Sequence, residues 1–395
     1  MSSMRKNTIQ GTVVINKRYP IVASLDVHDD SIYNLTVNTR TGEVLADCNI
    51  LGGYKQVLAM LEKTAAKGKT LVIYEAGSHG FAPYRFFTRH GYTCKVVAPT
   101  SIPHRAVRRK TDPDDAADNF HYHTSGLLRY VTVPTETDED AREALRYRFQ
   151  LGWNCTKEKQ RIQALLKRYG LKYEQGKTPW TNRFYKWIKS VEVLPMCREV
   201  LDMRLESISS LELEIGKLDT VLDGFFSQMQ SRHDLFDLYQ YIPGIARIGG
   251  MVLVVEGGDL RRFPHPYAFM SYVGLFPGKR SSGKKDPAMH ITKTGNSYLR
   301  FIIVGAAKFF TDRRTLLSSK QLEKLPVEVR PVIKRCQDRL HKRYKDLTVK
   351  GMKSKKAKVA VARELCGFIW ELAVKNGERA TSVSATTANG KAAAQ

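Results

Sequence analysis

From residue 21 the chain alternates short apolar runs with polar turns. Residues 21–27 (Ile-Val-Ala-Ser-Leu-Asp-Val) form one run, 32–37 resume it after His28-Asp29-Asp30, and Thr39-Arg40-Thr41-Gly42 reads as a hairpin turn before 43–46. Three consecutive antiparallel strands follow from that pattern. Tyr54, Val57, Leu58 and Leu61 then recur at helical spacing. A buried-strand run spans 71–74, with Glu75 at its carboxyl end. Residues 83–90 are predicted helical, 94–98 are a fifth strand closed by Pro99, and 112–128 are helical again. The predicted order is β-β-β-α-β-α-β-α, an α/β arrangement in which the carboxyl ends of strands make the working crevice.

The pattern changes after residue 130. Thr135-Glu136-Thr137-Asp138 supplies N-cap candidates for a long helix. A second helix carries Leu201, Leu205, Ile208, Leu211, Ile215, Leu218, Leu222 and Phe225 mostly at three- and four-residue steps. That is a coiled-coil or bundle seam, and it serves equally an intramolecular hairpin or a dimerising arm. Pro243-Gly244-Ile245, followed by Gly249-Gly250 and an apolar helix, resembles a helix-hairpin-helix turn, which aims backbone N–H groups at a phosphate. A Pro-Gly pair also simply breaks helices. Residues 313–358 are dense in Lys and Arg, and 358–374 read as an amphipathic helix with Phe368, Ile369 and Trp370. The expected division is a flexible basic arm (1–18), an α/β domain (19–130), a helical or coiled-coil region (131–235), a mainly helical domain with the hairpin-like turn (236–311), a basic helical region (312–375) and a disordered tail (376–395).

Composition narrows the partners. The 395 residues carry a net charge of +25, which opposes self-association and favours a polyanion. An anionic membrane surface is the competing partner for such charge, but no apolar run approaches the roughly 20 residues a spanning helix needs, and no membrane partner is expected. No apolar segment follows the basic N-terminus, so no secretory signal is expected. Cys48, Cys94, Cys155, Cys197, Cys336 and Cys366 are scattered without a C-x-x-C pair, which argues against a zinc ribbon or a disulfide framework and for reduced thiols in the cytoplasm.

Two sets of residues carry the chemistry. Asp26 lies on the first strand and Glu75 at the end of the fourth. Asp112 and Asp115, three apart, share one helical face. Four carboxylates can thus converge, and hard oxygen donors suit Mg²⁺. Far downstream, Ser281 and Ser282 lie among Lys279, Arg280, Lys284 and Lys285, before Gly283. An alcohol there can attack a phosphodiester if a metal or base assists it. Blander readings compete. Acids in a first helical turn answer the dipole for about 0.3–1 kcal/mol each, and most Ser-Ser-Gly strings are plain loops. Asp114 and Asp118 are assigned no chemistry. His28, His79 and His90 lack zinc-like spacing and are read as structural. Trp153, Trp180, Trp187 and Trp370 are read as core residues in preference to base-stacking ones. No glycine-rich P-loop is present, which fits a reaction that conserves bond energy without ATP.

The order of the first elements is that of an RNase H-like (RuvC-like) domain, and the motifs resemble the insertion-sequence-110 family of transposases, the bridge-RNA-guided recombinases. The resemblance rests on Asp26, Glu75-Ala76-Gly77 and Lys110-Thr111-Asp112-Pro113-Asp114-Asp115-Ala116. It continues in Pro243-Gly244-Ile245, Gly274-Leu275-Phe276-Pro277, Ser281-Ser282-Gly283 and Ile291-Thr292-Lys293-Thr294-Gly295-Asn296-Ser297-Tyr298-Leu299-Arg300. It implies a composite active site, with Mg²⁺ on Asp26, Glu75, Asp112 and Asp115 and a serine from the downstream transposase domain. The serine attack leaves a covalent phosphoserine linkage and a free 3′-hydroxyl, and strand exchange follows. Ser281 suits one subgroup by its spacing and is preferred; Ser282 directly precedes glycine, as in others. Lys293 and Arg300 match the family motif and are expected on nucleic acid, as are Arg108, Arg109, Lys110, Lys279 and Arg280. The resemblance further implies double-stranded target and donor DNA, a non-coding guide RNA, homodimers pairing into tetramers, and a bacterial cytoplasmic, nucleoid-associated setting. The alternative is a metal-dependent RuvC-like junction nuclease using water as nucleophile.

Overall fold

A computed structural model describes residues 18–102, 111–174, 176, 178–278 and 290–392, the side chains of 101, 230–233 and 376–392 excepted. The chain forms two compact units, Met1–Val133 and Pro134–Gln395.

In the first unit, β1 (Ile21–Val27), β2 (Ser31–Asn38), β3 (Val44–Leu51), α1 (Tyr54–Thr64), β4 (Thr70–Glu75), α2 (Ala82–Arg89), β5 (Thr93–Val97) and α3 (Asp112–Thr124) follow in the expected order. The five-stranded mixed sheet has the order β3-β2-β1-β4-β5. β1 and β2 are antiparallel, as are β2 and β3, whereas β1–β4 and β4–β5 are parallel. Strand alternation sends successive residues to opposite faces. Ala23, Leu25, Val72 and Tyr74 therefore pack with Val57, Leu61 and Phe87 of α1 and α2. Val22, Leu71 and Ile73 pack on the other face with Ala116 and Phe120 of α3. The outer edge of β5 is covered by residues 129–131, through Ala98 N–H to Arg129 O and Val131 N–H to Val96 O.

One half-buried histidine gives this unit a pH response. The Tyr130 hydroxyl and His123 Nδ1 share a 2.5 Å hydrogen bond. Burial pushes His123 down to about 4, and the Lys95 cation adds to this. Burial also pushes Tyr130 up to about 12, so the phenol keeps its proton. Above the ordinary histidine value of 6.5 neither state is protonated, and His123 contributes no slope. Between 6.5 and about 4 only the unfolded chain takes the proton, so stability falls on acidification. The loss totals about 3 kcal/mol. Urea unfolding at pH 7 and pH 5 should show this slope in the native protein and a shallower one in His123→Gln; equal slopes would refute the assignment.

In the second unit, α4 (Glu136–Arg168), α5 (Asn182–Ser190), α6 (Pro195–Gln228), α7 (Gln230–Gln240), α8 (Arg247–Gly257), α9 (Pro266–Val273), α10 (Ser297–Ala306), α11 (Ser319–Glu323), α12 (Arg330–Val349) and α13 (Ser354–Ala392) make a mostly helical body. Thr135 caps α4 by accepting from Asp138 N–H. Leu201, Leu205 and Ile208 of the α6 seam pack with Cys155, Ile162 and Leu166 of α4. Arg148–Asp219 and Lys159–Glu212 pairs tie the same two helices. The seam is thus used within the chain. Another side of α6 leaves Met196, Val200 and Met203 exposed. The core proper surrounds α8, whose residues from Gly249 to Gly257 are all buried. The helical backbone of α13 continues to Ala392, through the stretch whose composition predicts disorder; its alanines have the highest helix propensity. No helix among the described residues is long and apolar enough to cross a membrane.

Candidate active site

Register places the first two acids. β1 and β4 pair in parallel through Ser24–Ile73 and Leu25–Tyr74, so Asp26 and Glu75 come next at adjacent strand ends. Both continue the face that carries Val22, Leu71 and Ile73, the face covered by α3. Ala76 N–H donates to Val97 O and fixes the end of β4. α3 begins there with Asp112, Asp114 and Asp115 in its first turn. Asp114 serves as a cap: the Thr111 hydroxyl and N–H both donate to its carboxylate, at 2.7 and 3.2 Å. That leaves Asp112 and Asp115 for other work.

Asp26, His28 and Asp112 each bring one ligand atom to a point where all three lie within 4.8 Å of one another. His28 Nε2 is 3.1 Å from Asp26 Oδ2 and 3.6 Å from Asp112 Oδ1. Burial raises the Asp26 pKa, and the charges of Asp112 and Asp115 add to it against the His28 hydrogen bond. Burial lowers the His28 pKa, but the hydrogen bond to Asp26 and the charges of Asp26, Asp112 and Asp115 outweigh it and hold the ring above its ordinary value. The same negative field that raises the His28 pKa attracts a cation. The two carboxylates suit Mg²⁺, which takes oxygen donors, whereas the imidazole would join them only on a softer dication. Asp115 borders this group electrostatically and Glu75 by register; neither is among its converging ligand atoms. Glu75 and Asp115 have interactions of their own. Nearby, Tyr54 Oη lies 3.1 Å from His79 Nδ1, and the exposed Asp29 carboxylate lies 3.3 Å from His79 Nε2 without a hydrogen bond. Arg108, Arg109 and Lys110 fall outside the described residues.

In the second unit the two downstream motifs form one hairpin base. Residues 274–278 and 290–296 run antiparallel, with Lys293 N–H donating to Gly274 O, Thr292 N–H to Phe276 O and Gly278 N–H to His290 O. Ser281, Ser282, Lys279 and Arg280 lie in 279–289, outside the described residues. Two motif glycines are dictated by close approach. At Gly274 (φ 75°) a Cβ would sit 2.7 Å from Thr294 O and from Arg300 Nη1, and at Gly295 (φ 124°) it would collide with Tyr272 O. Lys293 is exposed with φ 55°. Arg300 is half-buried, its guanidinium donating to Val273 O at the carboxyl end of α9 over 2.8 Å, and burial lowers its pKa. Asn296 caps α10 by accepting from Leu299 N–H.

Behind this base sits Glu256, 1% exposed. Arg146 grips it with two bonds of 2.7 and 3.0 Å, and Asn296 Nδ2 donates to it over 2.7 Å. Sequence reasoning passed over this acid, whose only signal is one charge after the apolar run 251–255. It also set aside His28, whose spacing from Asp26 looks like any turn.

Comparison with known proteins agrees on one family. A family model described as the IS116/IS110/IS902 transposase family matches residues 237–322, and one for the DEDD transposase of IS110 matches residues 23–171. A putative transposase, y4qE of Sinorhizobium fredii, is 32% identical over 336 residues, covering 84% of this chain and 81% of its own. The transposase for insertion sequence element IS1533 of Leptospira borgpetersenii is 23% identical, covering 84% and 98%. That for IS1111A of Coxiella burnetii is 23% identical, covering 61% and 68%.

Proposed function

The chain belongs to the IS116/IS110/IS902 family of transposases, and from that membership we propose that it is an RNA-guided recombinase that cuts DNA through a phosphoserine intermediate. The observation that carries the reading is the meeting of Asp26, His28 and Asp112 where adjacent parallel strands end. The strand order and the helix laid across it support an RNase H-like, RuvC-like reading of the first unit. Asp26, Glu75, Asp112 and Asp115 would hold Mg²⁺, which when bound offsets charge on the phosphate oxygens and eases loss of the serine proton. Ser281 or Ser282 supplies the nucleophile. Its Oγ–P bond forms as the P–O3′ bond breaks, and the proton ends on the departing 3′ oxygen. The reverse transfer rejoins strands without ATP. Lys293, Arg300, Lys279 and Arg280 of the second unit, and Arg108, Arg109 and Lys110 of the first, contact the nucleic acid. The turn before α8 presents backbone N–H groups to a phosphate. A non-coding RNA pairs with target and donor DNA, and homodimers pair into tetramers.

The test is to incubate the protein with Mg²⁺, its element-end DNA and the flanking transcript, denature, and map any covalent adduct by mass spectrometry. A phosphodiester-linked nucleotide on a peptide containing Ser281 and Ser282 is expected. Cleaved, hydrolysed ends with no attached protein would replace this reading with a nuclease that uses water.

A further inference from the structure

The structure leaves an aromatic stack open to solvent beside the downstream motifs. Trp153 of α4 lies nearly parallel to Tyr298 of α10, with centroids 5.9 Å apart and planes at 20°. Arg146 covers Tyr298, its guanidinium carbon 5.3 Å from the ring centroid. Phe301 stands edge-on to Trp153 at 6.2 Å, and Phe149 props both from the core side. The layers are held rigidly. Arg146 is fixed by its two bonds to buried Glu256, and Tyr298 follows directly on the Asn296 cap. Yet Trp153 is 39% exposed and Phe301 is 54% exposed. Core packing accounts for Phe149 and for much of Tyr298. It does not account for two large rings standing in water at the end of an ordered cation–aromatic–aromatic stack.

We propose that Trp153 is the platform on which one unstacked base of single-stranded DNA completes the stack, with Phe301, standing edge-on to Trp153, meeting the side of that base. Every base has a π-face, so such a platform is indifferent to sequence, and its value rests on rigidity and on charge nearby. The charge is present. Lys157, one helical turn beyond Trp153, is exposed on the same face of α4, and Lys293 is exposed in the motif that leads into α10. The chain carries +25 overall. A base inside a duplex is already stacked on both faces, so the platform takes bases only where strands have separated. That state arises when strands are exchanged, and the assignment to DNA rests on the family reading above.

Fluorescence anisotropy with a labelled oligothymidine strand of about 20 nucleotides tests this against an abasic strand of equal length and charge. The full-length native protein should prefer the thymidine strand by about fivefold or more, the order of one stacked base. Trp153→Ala and Phe301→Ala should each reduce that preference, and Trp153→Phe should retain most of it. Equal affinity of the native protein for both strands would overturn the proposal without recourse to any variant. So would an unchanged preference in Trp153→Ala or Phe301→Ala shown to be folded by circular dichroism. A larger Trp153-dependent preference for oligouridine would reassign the platform to RNA, and a change in oligomeric state alone would reassign it to a second copy; either result defeats the DNA assignment. Binding is read without cleavage, so a failed adduct map leaves this result standing, and the reverse.

Discussion

Asp112→Asn should lower DNA strand cleavage by roughly a thousandfold or more while leaving the protein folded. The expected size follows from the charge a bound metal stabilises at phosphorus, several kcal/mol of transition-state energy. Asparagine keeps the shape and one oxygen but loses the charge that joins Asp26 in the cluster. Stability should change by less than about 1 kcal/mol, because the helix loses a favourable N-terminal charge but sheds its repulsion with Asp26 and Asp115. The native protein should melt at a higher temperature as Mg²⁺ is added, because an ion that binds only the folded state stabilises it, and the variant should lose most of that shift. Asp114→Ala supplies the contrast within the same helical turn. It removes the cap partner of Thr111 and should cost about 0.5–1 kcal/mol with cleavage retained. Cleavage surviving in Asp112→Asn, or lost equally in both variants, would take the acid cluster out of the reaction.

That contrast also marks what could be read from sequence. The succession of elements, the placing of Glu75 at the end of β4, and the shared face of Asp112 and Asp115 were legible, because each follows from a local period of two or 3.6 residues; the pairing of β1 with β4 was not, since it joins distant segments. The α6 seam was legible for the same reason. His28 was not, since its approach to Asp112 depends on how α3 crosses the sheet, and no spacing between residues 28 and 112 encodes that. Trp153 was read as core from its type. The structure instead leaves it 39% exposed, its ring set against Phe149 and against Tyr298 and Phe301 of α10. Asn296 and Gly295 were legible as a motif but not as a mechanism. One caps a helix and reaches Glu256, and the other makes room for Tyr272 O. Arg300 likewise was legible as a motif cation but not as a brace, one of its guanidinium nitrogens donating to Val273 O.

Glu256→Ala should be the most destabilising single change in the second unit, at about 3–5 kcal/mol, because it strands buried partners of opposite charge. Arg146 would lose both its bonds, and Asn296 would lose the acceptor of its amide. Arg142 keeps its bond to Val255 O but loses a carboxylate 3.7 Å away. Arg146 is 39% exposed and can partly rehydrate, which places the cost toward the lower end. Glu256→Gln should cost less, since the amide oxygen still accepts from Asn296 although the charge is gone. Replacing Glu256 and Arg146 together by methionine should recover much of the loss, since well-packed apolar pairs often match buried ion pairs. Chemical denaturation of the four proteins measures all of this in one series. The partition also reaches function. If Asn296 depends on Glu256 to hold residues 290–296 against 274–278, cleavage should fall in Glu256→Ala even where the protein remains folded, and fall less in Glu256→Gln. A cost below about 1 kcal/mol for Glu256→Ala would mean that the buried carboxylate is not what organises this base.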